Sequence, residues 1–242
     1  MTSRPNGLPT LSVSNLKGGA AKTVSSIVLT EVMALAGANV LLVDLDPQGT
    51  GSAWLAGRSE SATKLLTGGF DPGEDIDVAI GPPGLDSDQG TLDVLRPEDV
   101  GRVDMVTANR SLEDATERRT SDLSQRLEKL WRGAEGGYDI AVVDTPPQAG
   151  SLVTASFLST AGVLVPVAAG RGAVDGLQHV LQYTRRIGGA EVRAAFACNV
   201  DARTYLDKQV AEKLVDQLGQ ISEGGRACQH YVRSTVSVRE AE

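Results

Sequence analysis

Asn15-Leu16-Lys17-Gly18-Gly19-Ala20-Ala21-Lys22-Thr23 is the stretch on which the reading of this chain turns. It sets two lysines, five residues apart, around a pair of glycines. Before it, Leu11-Ser12-Val13-Ser14 alternates as a short strand does; after it, Val24, Ile27, Val28, Val32, Leu35 and Ala36 recur at helical spacing until Gly37. Strand, glycine loop and helix are the context of a phosphate-binding loop. The ordinary pattern G-x-x-x-x-G-K-[ST] is not met, because Leu16 and Ala21 occupy its two glycine positions. The chemistry survives the mismatch. Gly18 and Gly19 allow a tight turn that aims N–H groups at an anion, Lys22 can reach terminal phosphates, and the Thr23 hydroxyl can ligate magnesium. The positive end of the following helix dipole acts in the same direction.

The chain has 242 residues, enough for one sizeable α/β domain, and its 41% hydrophobic content fits a globule rather than a membrane span. No run of about eighteen apolar residues occurs, and residues 1–9 lack a signal-peptide layout, so a cytoplasmic protein is expected. Cys198 and Cys228 have no metal-ligand or redox spacing and are read as inert thiols. His179 and His230 suggest no metal site either. The net charge of −8 argues against a broadly basic surface while permitting a local basic patch.

Further apolar runs recur at Val40 to Val43, Ile140 to Val143, Val163 to Val167 and Val192 to Ala197, with a shorter one at Val103 to Val106. They alternate with helical patterns through Leu123, Leu127, Leu130 and Trp131; through Val174, Leu177, Val180 and Leu181; and through Leu206, Val210, Leu214 and Leu218. Such alternation predicts an α/β fold, a mostly parallel twisted sheet with helices on both faces. Residues 57–100, broken by glycines, prolines and aspartates, are expected to form an irregular surface excursion with short elements.

Two strand ends carry acids. Asp44 closes one apolar run and Asp46 follows two residues later, so in an extended segment both carboxylates would share a face. Asp144 closes the run from Ile140, the arrangement in which a carboxylate holds a nucleotide's magnesium. An aspartate at a strand end also forms turns and caps, but two such acids with Lys17 and Lys22 favour a nucleotide site.

These motifs together, Lys17-Gly18-Gly19-x-x-Lys22-Thr23, Asp44-x-Asp46-Pro47-Gln48-Gly49 and Asp144-Thr145-Pro146-Pro147, resemble the deviant Walker A ATPases of the ParA/MinD superfamily, and most of all the ParA (Soj-like) DNA-partition branch. Val163 to Val167 followed by Ala173 to Leu177, Asn199 to Thr204, and Val236 to Ala241 are similar to later segments of that family, so the likeness spans nearly the whole chain. It implies a single P-loop NTPase domain over residues 1–242, with ATP and Mg2+ as ligands. The nucleotide would be held by Lys17, Gly18, Gly19, Ala20, Ala21, Lys22, Thr23 and Val24. Lys17 is implied to cross a homodimer interface to the partner subunit's phosphates, and Lys22 to be the intrinsic loop lysine. Thr23, Asp44 and Asp144 would form the magnesium shell, and Asp46 would orient the attacking water. Asn199 would read the base or cap the following turn. Arg233 and Arg239 are the implied contacts to nonspecific DNA, with Arg226 and the Arg185-Arg186 pair behind them.

The function implied is a nucleoid-associated ATPase that dimerises around MgATP, binds DNA and is reset when a ParB-like or other cargo adaptor stimulates hydrolysis, segregating a plasmid or chromosome. A cargo-positioning ATPase and a slow or non-hydrolysing ATP-dependent switch are the alternatives. Two departures from the family pattern matter. Ala21 and Val24 stand where relatives carry glycine and a hydroxyl residue, which implies slow turnover. The chain also ends soon after the late segment, so it is either cut short or lacks a closing helix. Membrane targeting is not expected, since residues 234–242 are too short and too acidic for an amphipathic anchor. Iron–sulfur chemistry lacks paired cysteines, and Gly170-Arg171-Gly172-Ala173-Val174-Asp175-Gly176 misses the dinucleotide fingerprint at Asp175.

Overall fold

The apolar runs lie side by side in one sheet. In the computed structural model, which describes residues 7–80, 100–168, 173–200, 209, 213, 226 and 227, they form β1 (Thr10–Val13), β2 (Val40–Asp44), β4 (Val103–Val106), β5 (Ile140–Asp144), β6 (Gly162–Ala168) and β7 (Val192–Cys198). Two further strands, β3 (Asp77–Ile80) and β8 (Arg226–Ala227), complete the order β3-β4-β2-β5-β1-β6-β7-β8. All neighbours are parallel except β3, which runs antiparallel at one edge. The α/β fold with a mostly parallel sheet is thus as expected.

Helices cover both faces because alternate strand residues are apolar on both sides. Val40 and Leu42 of β2 pack with Ile27 and Ala34 of α1 (Lys22–Leu35). Leu41 and Val43 face the other way, onto α3 (Ser61–Thr67), α4 (Thr120–Ala134) and α5 (Ser151–Ser159). On that second face Val163, Val165 and Val167 of β6 pack with Leu177 and Val180 of α6 (Ala173–Ile187). The crossovers β1–α1–β2 and β5–α5–β6 leave the centre in opposite directions and place their helices on opposite faces. The C-terminal ends of β1 and β5 therefore open onto a topological switch point, the usual ligand crevice of such sheets.

Three expectations change on contact with the structure. The helical period after the loop is right, but Val28 and Val32 are 45% and 57% exposed. The buried stripe is Lys22, Ser26, Ile27, Thr30 and Ala34, because α1 turns polar side chains towards the acids at the strand ends. Residues 57–100 are not wholly superficial: α3 buries Ala62, Leu65 and Leu66 in the main core. A short α2 (Thr50–Leu55) and a 3-10 helix (Arg110–Glu117), whose first turn is capped by the Asn109 side chain accepting from Ser111 N at 2.9 Å, fill gaps the periodicity left open. Leu206, Val210, Leu214 and Leu218 of the predicted helix lie outside the described residues, as do Cys228, His230 and the segment from Val236 to Ala241; Cys198 is buried.

Candidate functional site

The loop between β1 and α1 is tied down at both ends. Ser14 N donates to Leu164 O at 3.0 Å, and the buried Asn15 donates through Nδ2 to Pro166 O at 2.8 Å, so the loop leaves β1 clamped to β6. Farther along, the Cys198 thiol at the end of β7 donates to Ala20 O at 3.6 Å. Between these anchors Lys17, Gly18 and Gly19 are exposed, and Gly19 takes φ +66°. Ala21 adopts φ 52°, ψ 33°, the left-handed region that glycine tolerates and alanine resists. The glycine that the phosphate-loop pattern asks for there answers a backbone requirement, one this chain meets with alanine.

Helix α1 begins at Lys22, which is only 7% exposed. Burial lowers its pKa, opposed by the charges of Asp144 and then Asp46. The amine is thus held among carboxylates at the mouth of the sheet. Four residues on, and so on the same helix face, Ser26 donates to Asp144 Oδ1 at 3.1 Å, and the Thr23 hydroxyl also hydrogen-bonds Asp144. The other oxygen, Asp144 Oδ2, is buried and accepts no hydrogen bond. An orphaned carboxylate oxygen in such a place is costly unless something else binds it.

Asp44 and Asp144 sit directly opposite in the β2–β5 register. Burial, and then the neighbouring Asp44 charge, push the Asp144 carboxyl up to about 8. Burial likewise pushes Asp44 up to about 6, against the hydrogen bonds it accepts. Those bonds distinguish the two acids. Asp44 Oδ1 accepts from Asp46 N at 2.9 Å, while Oδ2 accepts from Ser52 N at 3.1 Å and Ser52 Oγ at 2.7 Å. Ser52 Oγ in turn accepts from Ala108 N at 2.8 Å, linking β2, α2 and the end of β4. Strand β2 ends at Asp44, Leu45 N still donates to Asp144 O at 2.9 Å, and the turn begins at Asp46, whose O accepts from Gly49 N at 2.8 Å. Asp46 stands half-exposed with Oδ1 accepting from Gln48 N at 2.9 Å. Helix α2 can lie close because Gly51 has no side chain; a Cβ there would stand 3.2 Å from the Thr23 methyl and 3.5 Å from Asp44 Oδ2.

Lys22, Thr23, Asp44, Asp46 and Asp144 are therefore brought together at the crevice. Asn199, just beyond β7 and next to the cysteine that holds the loop, has φ 53° and a buried Oδ1 without a partner. The DNA-contact expectations fare differently. Arg233 and Arg239 lie outside the described residues, as does the side chain of Arg226. Arg185 and Arg186 end α6, where the Arg186 guanidinium lies 5.0 Å from the Tyr183 ring centroid. The sequence reading missed Asn15, Ser26 and Ser52. Ser26 was findable as the residue one turn after Lys22, whereas nothing in the spacing announces Asn15 or Ser52.

The site suits a magnesium nucleotide. Magnesium keeps several waters and takes few protein carboxylates, with phosphates supplying the rest. The donors match: one unpartnered buried carboxylate oxygen, a threonine hydroxyl at the start of a helix, and a buried amine. Among the described residues no cluster of three or more His, Cys, Asp or Glu forms a protein-only metal cage.

The AAA domain family matches residues 9–195. The chromosome partitioning protein ParA of Caulobacter vibrioides is 30% identical over 223 residues, covering 88% of this chain and 78% of that protein. The chromosome-partitioning ATPase Soj of Thermus thermophilus is 29% identical over 216 residues, covering 87% and 77%. Among solved structures, cobyrinic acid a,c-diamide synthase of Mycobacterium smegmatis with a bound ATP analogue and magnesium superposes with TM-score 0.71 at 22% identity, over 96% of this chain and 92% of that one, a likeness of fold. With motifs, fold and relatives in agreement, this chain belongs to the ParA/MinD family of P-loop proteins.

Proposed function

We propose that the protein is a DNA-partition ATPase that dimerises around MgATP, holds DNA nonspecifically and is reset when a partner protein stimulates hydrolysis. The observation that supports it best is the buried, unpartnered Asp144 Oδ2 beside Thr23 and Lys22 at the switch point. In this reading magnesium, held near Thr23 and Asp144, would neutralise charge that develops on the phosphates during transfer. Lys22 binds the terminal phosphates, and its burial strengthens that attraction. Thr23 and Asp144 hold the metal's water shell; Asp44, already carrying three protein donors, fixes the turn that presents Asp46. Asp46, half-exposed and held through Oδ1 by Gln48 N, orients the attacking water. Lys17 acts across the dimer on the partner subunit's nucleotide, and Asn199 reads the base. Relatives named as partition proteins and partition ATPases support the class of function.

The test is ATP turnover and DNA retention measured together, with and without double-stranded DNA and the cognate adaptor. The proposal expects retention to require MgATP, to weaken as salt rises, and to fall when Arg233 and Arg239 are both replaced by alanine. No turnover under any condition would leave the second reading, an ATP-dependent switch, which the left-handed Ala21 favours because a methyl group replaces hydrogen beside the phosphate path.

A further inference from the structure

On the face of the sheet opposite α1, α3 and α4 enclose a pocket of about 430 Å³ that no part of the nucleotide chemistry uses. Its walls are apolar, with the half-buried Phe70, Ile76 and Tyr138 packed onto the main core. The Tyr138 hydroxyl is spent elsewhere, donating to Asp104 Oδ2 at 2.8 Å, which leaves the ring as pocket lining. The rim is cationic. Lys64 is neutralised by Asp75 at 2.6 Å, but Arg126 and Lys129, one helical turn apart on α4, have no acidic partner among the described residues. Two cations without an ion-pair partner among the described residues thus stand beside an apolar hollow in a chain of net charge −8.

Gly133 adds an independent observation. It stands in the last turn of α4 with ordinary helical backbone and lines the pocket, yet nothing lies within 4 Å of where its Cβ would be. Neither backbone conformation nor packing calls for glycine, the poorest helix former after proline. A side chain at this position would therefore have open space beside the pocket lining.

We propose that this pocket binds a small amphiphilic anion, a carboxylate or sulfonate carried on an apolar body, with the apolar part against Phe70, Ile76 and Tyr138 and the acid group between Arg126 and Lys129. The volume is that of an ordinary small-molecule site, and an apolar wall with a few convergent polar groups is how such sites combine affinity and orientation. Paired cations at one end select for the anion over a neutral molecule of the same shape.

The probe is 8-anilinonaphthalene-1-sulfonate, titrated by fluorescence against the full chain, with uncharged N-phenyl-1-naphthylamine as its neutral counterpart. Saturable one-to-one binding of the sulfonate is expected. Arg126→Ala with Lys129→Ala should weaken it at least tenfold while changing the neutral compound less than twofold. Gly133→Leu should abolish binding of both, and it should melt no lower than wild type because leucine favours the helix; Gly133→Ala, a smaller filling, should give an intermediate loss. The proposal is overturned if the charge variant binds the sulfonate as wild type does, if the folded Gly133→Leu protein retains it, or if MgADP displaces it, which would put the probe in the phosphate loop.

Discussion

Replacing Ala21 by glycine should make the protein more stable, although it removes a methyl group and places glycine at the edge of a helix. Ala21 occupies φ 52°, ψ 33°, where an L-residue sets its Cβ against the following carbonyl at a cost of about 1–2 kcal/mol that glycine escapes. Glycine returns part of this gain, about 0.4–1 kcal/mol, through the extra freedom of the unfolded chain. The Ala21 side chain makes no capping hydrogen bond, so no contact of that kind is lost. The balance spans about 0–1.6 kcal/mol with a central value of about 0.8 kcal/mol of stabilisation, which for a chain of this size raises the melting temperature by about 2–3 °C. Urea unfolding of the nucleotide-free protein at neutral pH, followed by circular dichroism, measures it. Ala21→Val is the control and should destabilise by more than Ala21→Gly stabilises, since a β-branched side chain resists the left-handed region still more strongly. A glycine variant no more stable than wild type, or a harmless valine, would refute the strain assigned to this backbone.

Other outcomes follow from the acids and their ties. Because burial, with the Asp44 charge beside Asp144 and the Asp46 charge beside Asp44, raises Asp144 to about 8 and Asp44 to about 6 in the folded state, the folded protein binds more protons than the unfolded one between about pH 4 and pH 8. Their contribution to stability is present below the unfolded pKa and is lost as pH rises through the folded values, so Asp144→Asn should gain stability relative to wild type between pH 5 and pH 8 when magnesium and nucleotide are absent. A difference independent of pH in paired denaturation curves would contradict that sign. Ser52→Ala strips Asp44 Oδ2 of its shortest donor and leaves the Ala108 N–H without its acceptor, both buried, and should cost about 1–3 kcal/mol in the same assay.

Much of the architecture could be read from the chain alone because parallel strands buried on both faces are continuous apolar runs, and Val40 to Val43 or Ile140 to Val143 could be little else. Asp144 was legible for the same reason: a charge that closes such a run stands at the sheet's ligand edge. Periodicity failed where the environment is not two-sided. Helix α5 buries Leu152, Val153, Ala155, Ser156 and Phe157 all round and so shows no helical stripe. In α1 the apolar residues Val28 and Val32 are exposed while Ser26 and Thr30 are buried beside Ile27 and Ala34, Ser26 reaching Asp144 and Thr30 bonding back to Ile27 O, so the buried face is only partly apolar. The Ser52 link and the Asn15 clamp depend on distant partners, Ala108 and Pro166, that no local pattern encodes.

Lys17 is exposed on the loop and is proposed to act on the nucleotide of a second subunit. Sedimentation velocity of wild type and Lys17→Ala, each with and without MgATP, tests that assignment alongside direct nucleotide titration. Wild type should shift from monomer to dimer on adding MgATP, whereas Lys17→Ala should bind ATP with affinity within a few-fold of wild type, remain monomeric and turn over poorly. A Lys17→Ala protein that dimerises with MgATP and hydrolyses it as wild type does would contradict the account.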